Sequence, residues 1–215
     1  MGTCYIFGAG ERCGRERVSR PEKGDLIIAA DGGLKWVEEL GLTPDRIIGD
    51  FDSLGFIPEG SLTERLPVRK DDTDMGVSLK RGLALGYRSF VLYGGTGGRA
   101  DHTMANYQLL SELSEHGAHG FLVDDNMTVF AAAACAFEIR GIPGGDLSVF
   151  SFSDASEGVS IENACYELFD GSITNRFPIG VSNSFTDSPA KIRVKKGTLL
   201  IMGAFLPRDV RFLAE

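Results

Sequence analysis

Short apolar runs that end in glycine or aspartate alternate with amphipathic stretches through the first 125 or so residues. "CYIFGAG" predicts a strand entering a glycine turn, and "DLIIAADGG" repeats that shape. "LKWVEELG" carries Leu34, Val37 and Leu40 at helical spacing, with Gly41 placed as a terminator. "RIIGDFDS" is another strand leading into a loop. Helical spacing predicts a helix over 72–85, "SFVLYGGTGG" reads as strand plus glycine loop, 100–113 reads as helix, and "HGFLVDD" closes the series. Strands and helices alternating with short connections predict a doubly wound, mostly parallel α/β sheet. In such sheets ligands gather at the carboxyl ends of the strands.

From about residue 125 the texture changes. "MTVFAA", "AFEIRG", "LSVFSFS", "GVSIENA", "KIRVKKG" and "TLLIMGAF" are short, partly alternating runs divided by Gly, Pro, Asn, Asp and Ser. Helical periodicity is weak apart from the alanine run 131–134. The pattern predicts an all-β sandwich or small barrel. The expected organisation is therefore an α/β domain over 1–125 and a β-sandwich over 126–215, packed closely without a flexible linker.

Composition narrows the function. The formal net charge of −8 argues against broad binding to nucleic acid or anionic membranes. No run approaches the roughly 20 apolar residues of a membrane span, and the first residues show no secretory signal, so a cytoplasmic protein is expected. The four cysteines are scattered without a C-x-x-C pair, which reads as free thiols. Glycine contributes 28 of 215 residues, and these cluster at the ends of apolar runs, where tight turns and close approach to a ligand favour them.

Three polar stretches follow predicted strands or open helices. "GDFDS" sets Asp50 and Asp52 one residue apart, on one side of an extended segment. Such a pair is relieved by a divalent cation with oxygen ligands, or by water in a solvated loop. "KDDTD" places Asp71, Asp72 and Asp74 at a helix start beside Lys70; capping accounts for one or two of these acids, leaving Asp74 as a further metal ligand. "GGTGGRADHTMAN" puts Gly94, Gly95, Gly97 and Gly98 between strand and helix, suited to close approach to phosphates. It is neither a Walker A sequence nor a dinucleotide fingerprint in its usual setting. Arg99 offers a forked donor to phosphate oxygens, and Asp101 could ligate metal or accept a proton. His102 is as consistent with a structural as with a catalytic role, and Asn106 shares its helical face. With Asp31 in "ADGG", these residues together suggest Mg²⁺-dependent phosphoryl or nucleotidyl-type transfer.

"ADGGLKWVEELGLTPDRIIGDFDSL", then "KDDTD" and "GGTGGRADHTMAN", resemble the thiamine pyrophosphokinase (thiamine diphosphokinase) family over roughly residues 29–110. "GVSNSF" resembles the family's G-x-S-N segment. The resemblance implies an α/β catalytic domain with a β-sandwich, and transfer of diphosphate from ATP to thiamine with release of AMP. It implies Mg²⁺ on Asp50, Asp52 and Asp74, with Asp31 nearby. Arg99 and Asp101 would contact polyphosphate and metal, and Lys70 would lie close. Gly97, Gly98, His102 and Asn106 would complete the ATP site. Ser182 and Asn183 would serve thiamine at a homodimer interface; the only tryptophan, Trp36, falls in the first domain, which leaves Phe177, Phe185 or another residue for its rings. Two rivals are a hydroxymethyl-pterin diphosphokinase on the same scaffold and a non-catalytic thiamine-binding regulator. The roles of Cys13 and of Arg12, Arg15 and Arg17 in "GAGERCGRER" stay open.

Overall fold

The computed structural model describes residues 2–51, 54–60, 62–69 and 71–213. It has a mixed α/β fold with strand-rich sheets. The chain divides into two compact units, Met1–Leu109 with Leu122–Asp125, and Leu110–Phe121 with Asn126–Glu215.

In the first unit the order is β1 (Thr3–Phe7), β2 (Leu26–Ala30), α1 (Gly33–Glu39), β3 (Arg46–Gly49), β4 (Thr63–Arg65), α2 (Asp74–Ala84) and β5 (Ser89–Tyr93), followed by the start of α3 (Ala100–Glu115). The strands run β5-β1-β2-β3-β4, parallel throughout. Both faces of β1 are covered, as its unbroken apolar run requires. On one face, Tyr5 and Phe7 pack with Leu34, Trp36 and Val37 of α1. On the other, Cys4 and Phe90 lie so close to α2 that a Cβ at Gly82 would sit 3.0 Å from the Cys4 sulfur. Strand order reverses between β1 and β5. Such a reversal is where ligands gather, in the crevice at the carboxyl ends of an open sheet.

The second unit contains β7 (Thr128–Ala133), β8 (Ala136–Ile139), β9 (Asp146–Ser151), β10 (Ala155–Glu162), β11 (Leu168–Thr174), β12 (Asn183–Ser184), β13 (Ala190–Arg193), β14 (Thr198–Gly203) and β15 (Val210–Leu213), while β6 (His119–Val123) straddles the division. β12-β9-β14-β7 and β11-β10-β13-β8-β15 are antiparallel runs. One hydrophobic cluster draws on both, including Phe130, Phe137, Val149, Ile161, Ile192 and Ile201. Alternating burial along β8 and β13 reflects this one-sided packing. Residues 131–133, part of the alanine run, are strand: β7 pairs them with Thr198–Leu200, and sheet pairing overrides alanine's helical preference.

The expected boundary at 125/126 and the compact units differ over residues 110–121. The end of α3 is tied into the second unit by side chains. Glu115 accepts the hydroxyls of Ser111 and Thr198, each at 3.0 Å, and Ser114 Oγ accepts the Ala133 N–H at 2.8 Å. Among the described residues no helix is long and apolar enough to cross a membrane.

Candidate active site

The crevice is built by backbone before any side chain enters it. Gly8 N–H donates to the Tyr93 carbonyl, Gly10 N–H to Gly94 and Glu11 N–H to Thr96, at 2.8–2.9 Å, so the loops after β1 and β5 are laced together. The lacing admits no side chain: a Cβ at Gly94 would lie 2.4 Å from the Gly8 carbonyl oxygen, and Gly94 has φ +63°. Below these turns Phe7 stacks on Tyr93 at 5.0 Å and Trp36 meets both rings edge-on.

A cavity of about 660 Å³ opens beside this lacing. Gly8, Ala9 and Gly10 form one wall and the chain from Gly94 to Arg99 forms another, so both glycine loops face it. Asp31, Asp50, Asp72 and Asp74 border the same space, as do His102 and Asn106 from α3. Of the sequence-derived set, the structure thus gathers Asp31, Asp50, Asp74, Gly97, Gly98, Arg99, His102 and Asn106 around one cavity. Asp52 and Lys70 lie outside the described residues.

The acids arrive by different local devices. Asp31 adopts φ +49° while its N–H donates to Ile48 at 2.8 Å, turning the chain sharply at the end of β2. Phe51 has φ +64° and is buried in the core. The chain is therefore not extended at Phe51, and the expected pairing of Asp50 with Asp52 lies partly outside the described residues. Left-handed backbone at non-glycine residues costs free energy and concentrates at functional sites. At α2 the cap is Thr73, whose Oγ1 accepts the Gly76 N–H at 3.0 Å, and not an aspartate. Asp72 accepts the Thr73 N–H at 3.0 Å and pairs with Lys80 at 2.5 Å, and Asp74 opens the helix at the cavity.

Arg99 follows the glycine loop, with three of the four glycines between 94 and 98 in the left-handed region. Its Nε and Nη2 donate to the two oxygens of Asp101 at 3.1 and 2.6 Å. That guanidinium holds the Asp101 carboxyl well down, at about 2, so Asp101 is ionised at neutral pH and a poor proton acceptor. Asp101 itself does not border the cavity. Asn106 is buried and donates from Nδ2 to the Gly95 carbonyl at 2.6 Å, bracing the loop from α3.

The basic residues of the first loop are engaged elsewhere. Arg12 pairs with Glu39, Arg15 donates to the Glu39 carbonyl at 2.6 Å and Arg17 to the Asp124 carbonyl at 2.6 Å. Burial pushes the Cys13 thiol up to about 11, which removes it as a nucleophile at neutral pH. The sequence reading missed Gly8, Gly10, Met75 and Thr73. Only the glycines carried a signal, as a strand-end turn matching the one after β5.

Carboxylate oxygens are hard donors, suited to Mg²⁺, and four aspartates on one cavity fit such an ion. Among the described residues, no three His, Cys, Asp or Glu side chains stand close enough to form a metal site by themselves. An ion here would complete its shell with phosphate oxygens and water, as Mg²⁺ commonly does.

In the second unit Ser182 adopts φ +61° and its N–H donates to Ser148 Oγ at 3.2 Å. Asn183 is buried and turned inward. Its Oδ1 accepts the N–H groups of Tyr166 and Ser184, each at 2.9 Å, and its Nδ2 donates to the Tyr166 carbonyl at 2.7 Å. The Tyr166 side chain itself is exposed. Of the aromatics considered for thiamine, Phe185 is a core residue and Phe177 is exposed.

Residues 20–122 match the family model described as thiamin pyrophosphokinase, catalytic domain. A curated thiamine pyrophosphokinase of Bacillus subtilis is 25% identical over 184 residues, covering 82% of this chain and 86% of the relative. Over residues 20–122 the chain is similar to the thiamin pyrophosphokinase catalytic domain. Both likenesses favour the thiamine reading over the pterin rival. A solved thiamine pyrophosphokinase from Bacillus subtilis superposes with a TM-score of 0.81 at 24% identity, covering 94% of this chain and 99% of that one. The thiamin pyrophosphokinase of Candida albicans gives 0.72 at 14% identity, covering 95% and 89%. These likenesses establish that the fold extends over nearly the whole chain.

Proposed function

We propose that the protein is a thiamine diphosphokinase, transferring the diphosphate of ATP to the hydroxyethyl oxygen of thiamine and releasing AMP. The observation that carries this reading is the cavity at the β1/β5 reversal, bounded by two laced glycine loops, four aspartates and Arg99. Together with the catalytic-domain match, it supports the binding of a polyphosphate at this crevice.

In the reaction the alcohol oxygen bonds to the β-phosphorus as the bond from that phosphorus to the AMP oxygen breaks. The glycine loops let backbone come close to phosphate oxygens without obstruction. Arg99 faces the charge that builds as AMP leaves. His102, Asn106, Gly97, Gly98 and Lys70 complete the ATP site. Asp50, Asp52 and Asp74 are the residues we assign to Mg²⁺, with Asp31 beside them. When bound, the ion supplies charge neutralisation on the phosphate oxygens. Asp74 borders the cavity and Asp101 does not, so Asp74 is the better placed carboxylate to take the alcohol's proton.

The reading extends to two domains, an α/β catalytic domain over 1–125 and a β-sandwich over 126–215. It also includes Ser182 and Asn183 serving thiamine, a homodimer, and a cytoplasmic location. Purified protein given thiamine, ATP and Mg²⁺ tests the core of it. Equal amounts of AMP and thiamine diphosphate are expected, whereas ADP with thiamine monophosphate would make the reaction class wrong.

A further inference from the structure

We propose that Asp101 is the positioning residue for Arg99: it aims the guanidinium at the polyphosphate and touches neither the metal nor the transferred proton. The proposal rests on the diphosphate-transfer reading and assigns Asp101 a role within it.

Three observations carry it. Arg99 and His102 border the cavity, whereas Asp101, between them in sequence, does not. Both oxygens of Asp101 are already occupied. Oδ1 accepts Arg99 Nε at 3.1 Å and the His102 N–H at 3.0 Å, and Oδ2 accepts Arg99 Nη2 at 2.6 Å. The His102 bond ties the carboxylate to the first turn of α3. Finally, Arg99 follows a loop whose Gly94, Gly97 and Gly98 are left-handed, and its side chain is largely exposed, so little besides Asp101 directs it.

The fork also leaves the right donors over. A guanidinium has five N–H groups, and the two bonds to Asp101 use the one on Nε and one on Nη2. Both N–H groups of Nη1 and the second of Nη2 remain for phosphate oxygens. Asp101 thereby converts a mobile cation into an oriented three-donor surface, the kind of preorganisation that favours a developing anion.

A double-mutant cycle tests this, using Arg99→Ala, Asp101→Ala and the two together in the full chain. ATP binding is measured by calorimetry in EDTA without thiamine, so that neither metal nor turnover enters. We expect Arg99→Ala to weaken ATP about 30-fold and Asp101→Ala about tenfold, with the double variant within about twofold of Arg99→Ala alone. Asp101→Asn should leave the Mg²⁺ concentration for half-maximal turnover unchanged and should keep the acid limb of the kcat profile. Losses that multiply in the double variant would overturn the proposal. So would tight ATP binding by Asp101→Ala, a raised Mg²⁺ requirement in Asp101→Asn, or loss of its acid limb. Melting temperatures check that each variant is folded, as the exposure of both side chains leads us to expect. A wild-type protein that releases no AMP would defeat the functional reading instead, and the binding cycle in EDTA would still report on the pair.

Discussion

At the strand ends of the first unit, polar side chains border a cavity; at the start of β12 in the second, they turn back on their own chain. Asp31, Asp50 and Asp74 surround a space large enough for a nucleotide. Asn183 spends its amide on Tyr166 and Ser184. A short polar motif therefore marks importance without saying whether the side chain touches a ligand or shapes what does. In the first unit the glycines do the shaping and the acids are left for chemistry. In the second unit the asparagine does the shaping, and what it presents is the exposed ring of Tyr166.

The largest effect expected from this contrast is at Asp50. Asp50→Asn should lower kcat about 10²- to 10³-fold with the melting temperature nearly unchanged, measured by AMP release at saturating Mg²⁺. A normal rate would move Asp50 into the class of shaping residues.

The lacing of the two loops predicts the next largest effect. Gly94→Ala meets the Gly8 carbonyl at 2.4 Å in a left-handed conformation, whereas a Cβ at Gly98, also left-handed, meets nothing within 4 Å. Gly94→Ala should cost about 3 kcal/mol and Gly98→Ala about 1 kcal/mol. By thermal melting these are drops of about 9 °C and about 3 °C. Equal drops would show that the contact between the loops adds nothing to backbone strain.

Asn183 comes next. If it acts through Tyr166, Asn183→Ala and Tyr166→Ala should each raise the thiamine KM about tenfold, and the double variant should be no worse. The ATP KM should stay within about twofold in all three. Ser182→Ala should change little, because Ser182 is bonded through its N–H rather than its hydroxyl. Multiplying effects would place the Asn183 amide on the substrate directly.

The smallest effect concerns His119, half-buried in the second unit and stacked on Phe212 at 3.6 Å. Burial lowers its pKa below the ordinary value of 6.5. The unfolded chain therefore takes up a proton there before the folded one does, and stability falls as pH drops through about 6.5. His119→Gln should lose about 1–2 °C less than wild type in melting temperature between about pH 7.5 and pH 5.5. An unchanged loss would show that His119 titrates alike in both states.

The sequence carried the strand and helix alternation, since apolar periodicity is local and β1, β2, α1, α2 and β5 follow it closely. It carried the acids and glycines of the site because each follows a predicted strand or opens a predicted helix. It did not carry the joining of Gly8–Gly10 to Gly94–Thr96, a pairing of chain segments far apart in sequence with no side chain to mark it. Phe51 departs from the expected extended backbone, with φ +64° and its ring buried, which apolar periodicity does not register. The clamp of Asn183 on Tyr166 escaped for the same reason, as it spans 17 residues and ends on backbone atoms.

The central claim is that a diphosphate, not a single phosphate, leaves ATP from the cavity at the β1/β5 reversal. ATP labelled separately at its α- and β-phosphorus, given with thiamine and Mg²⁺, tests it most directly. The β-label should appear wholly in thiamine diphosphate and the α-label wholly in AMP, with both signals lost together in Asp50→Asn. A β-label recovered in ADP, or product formation undiminished in Asp50→Asn, would contradict the account.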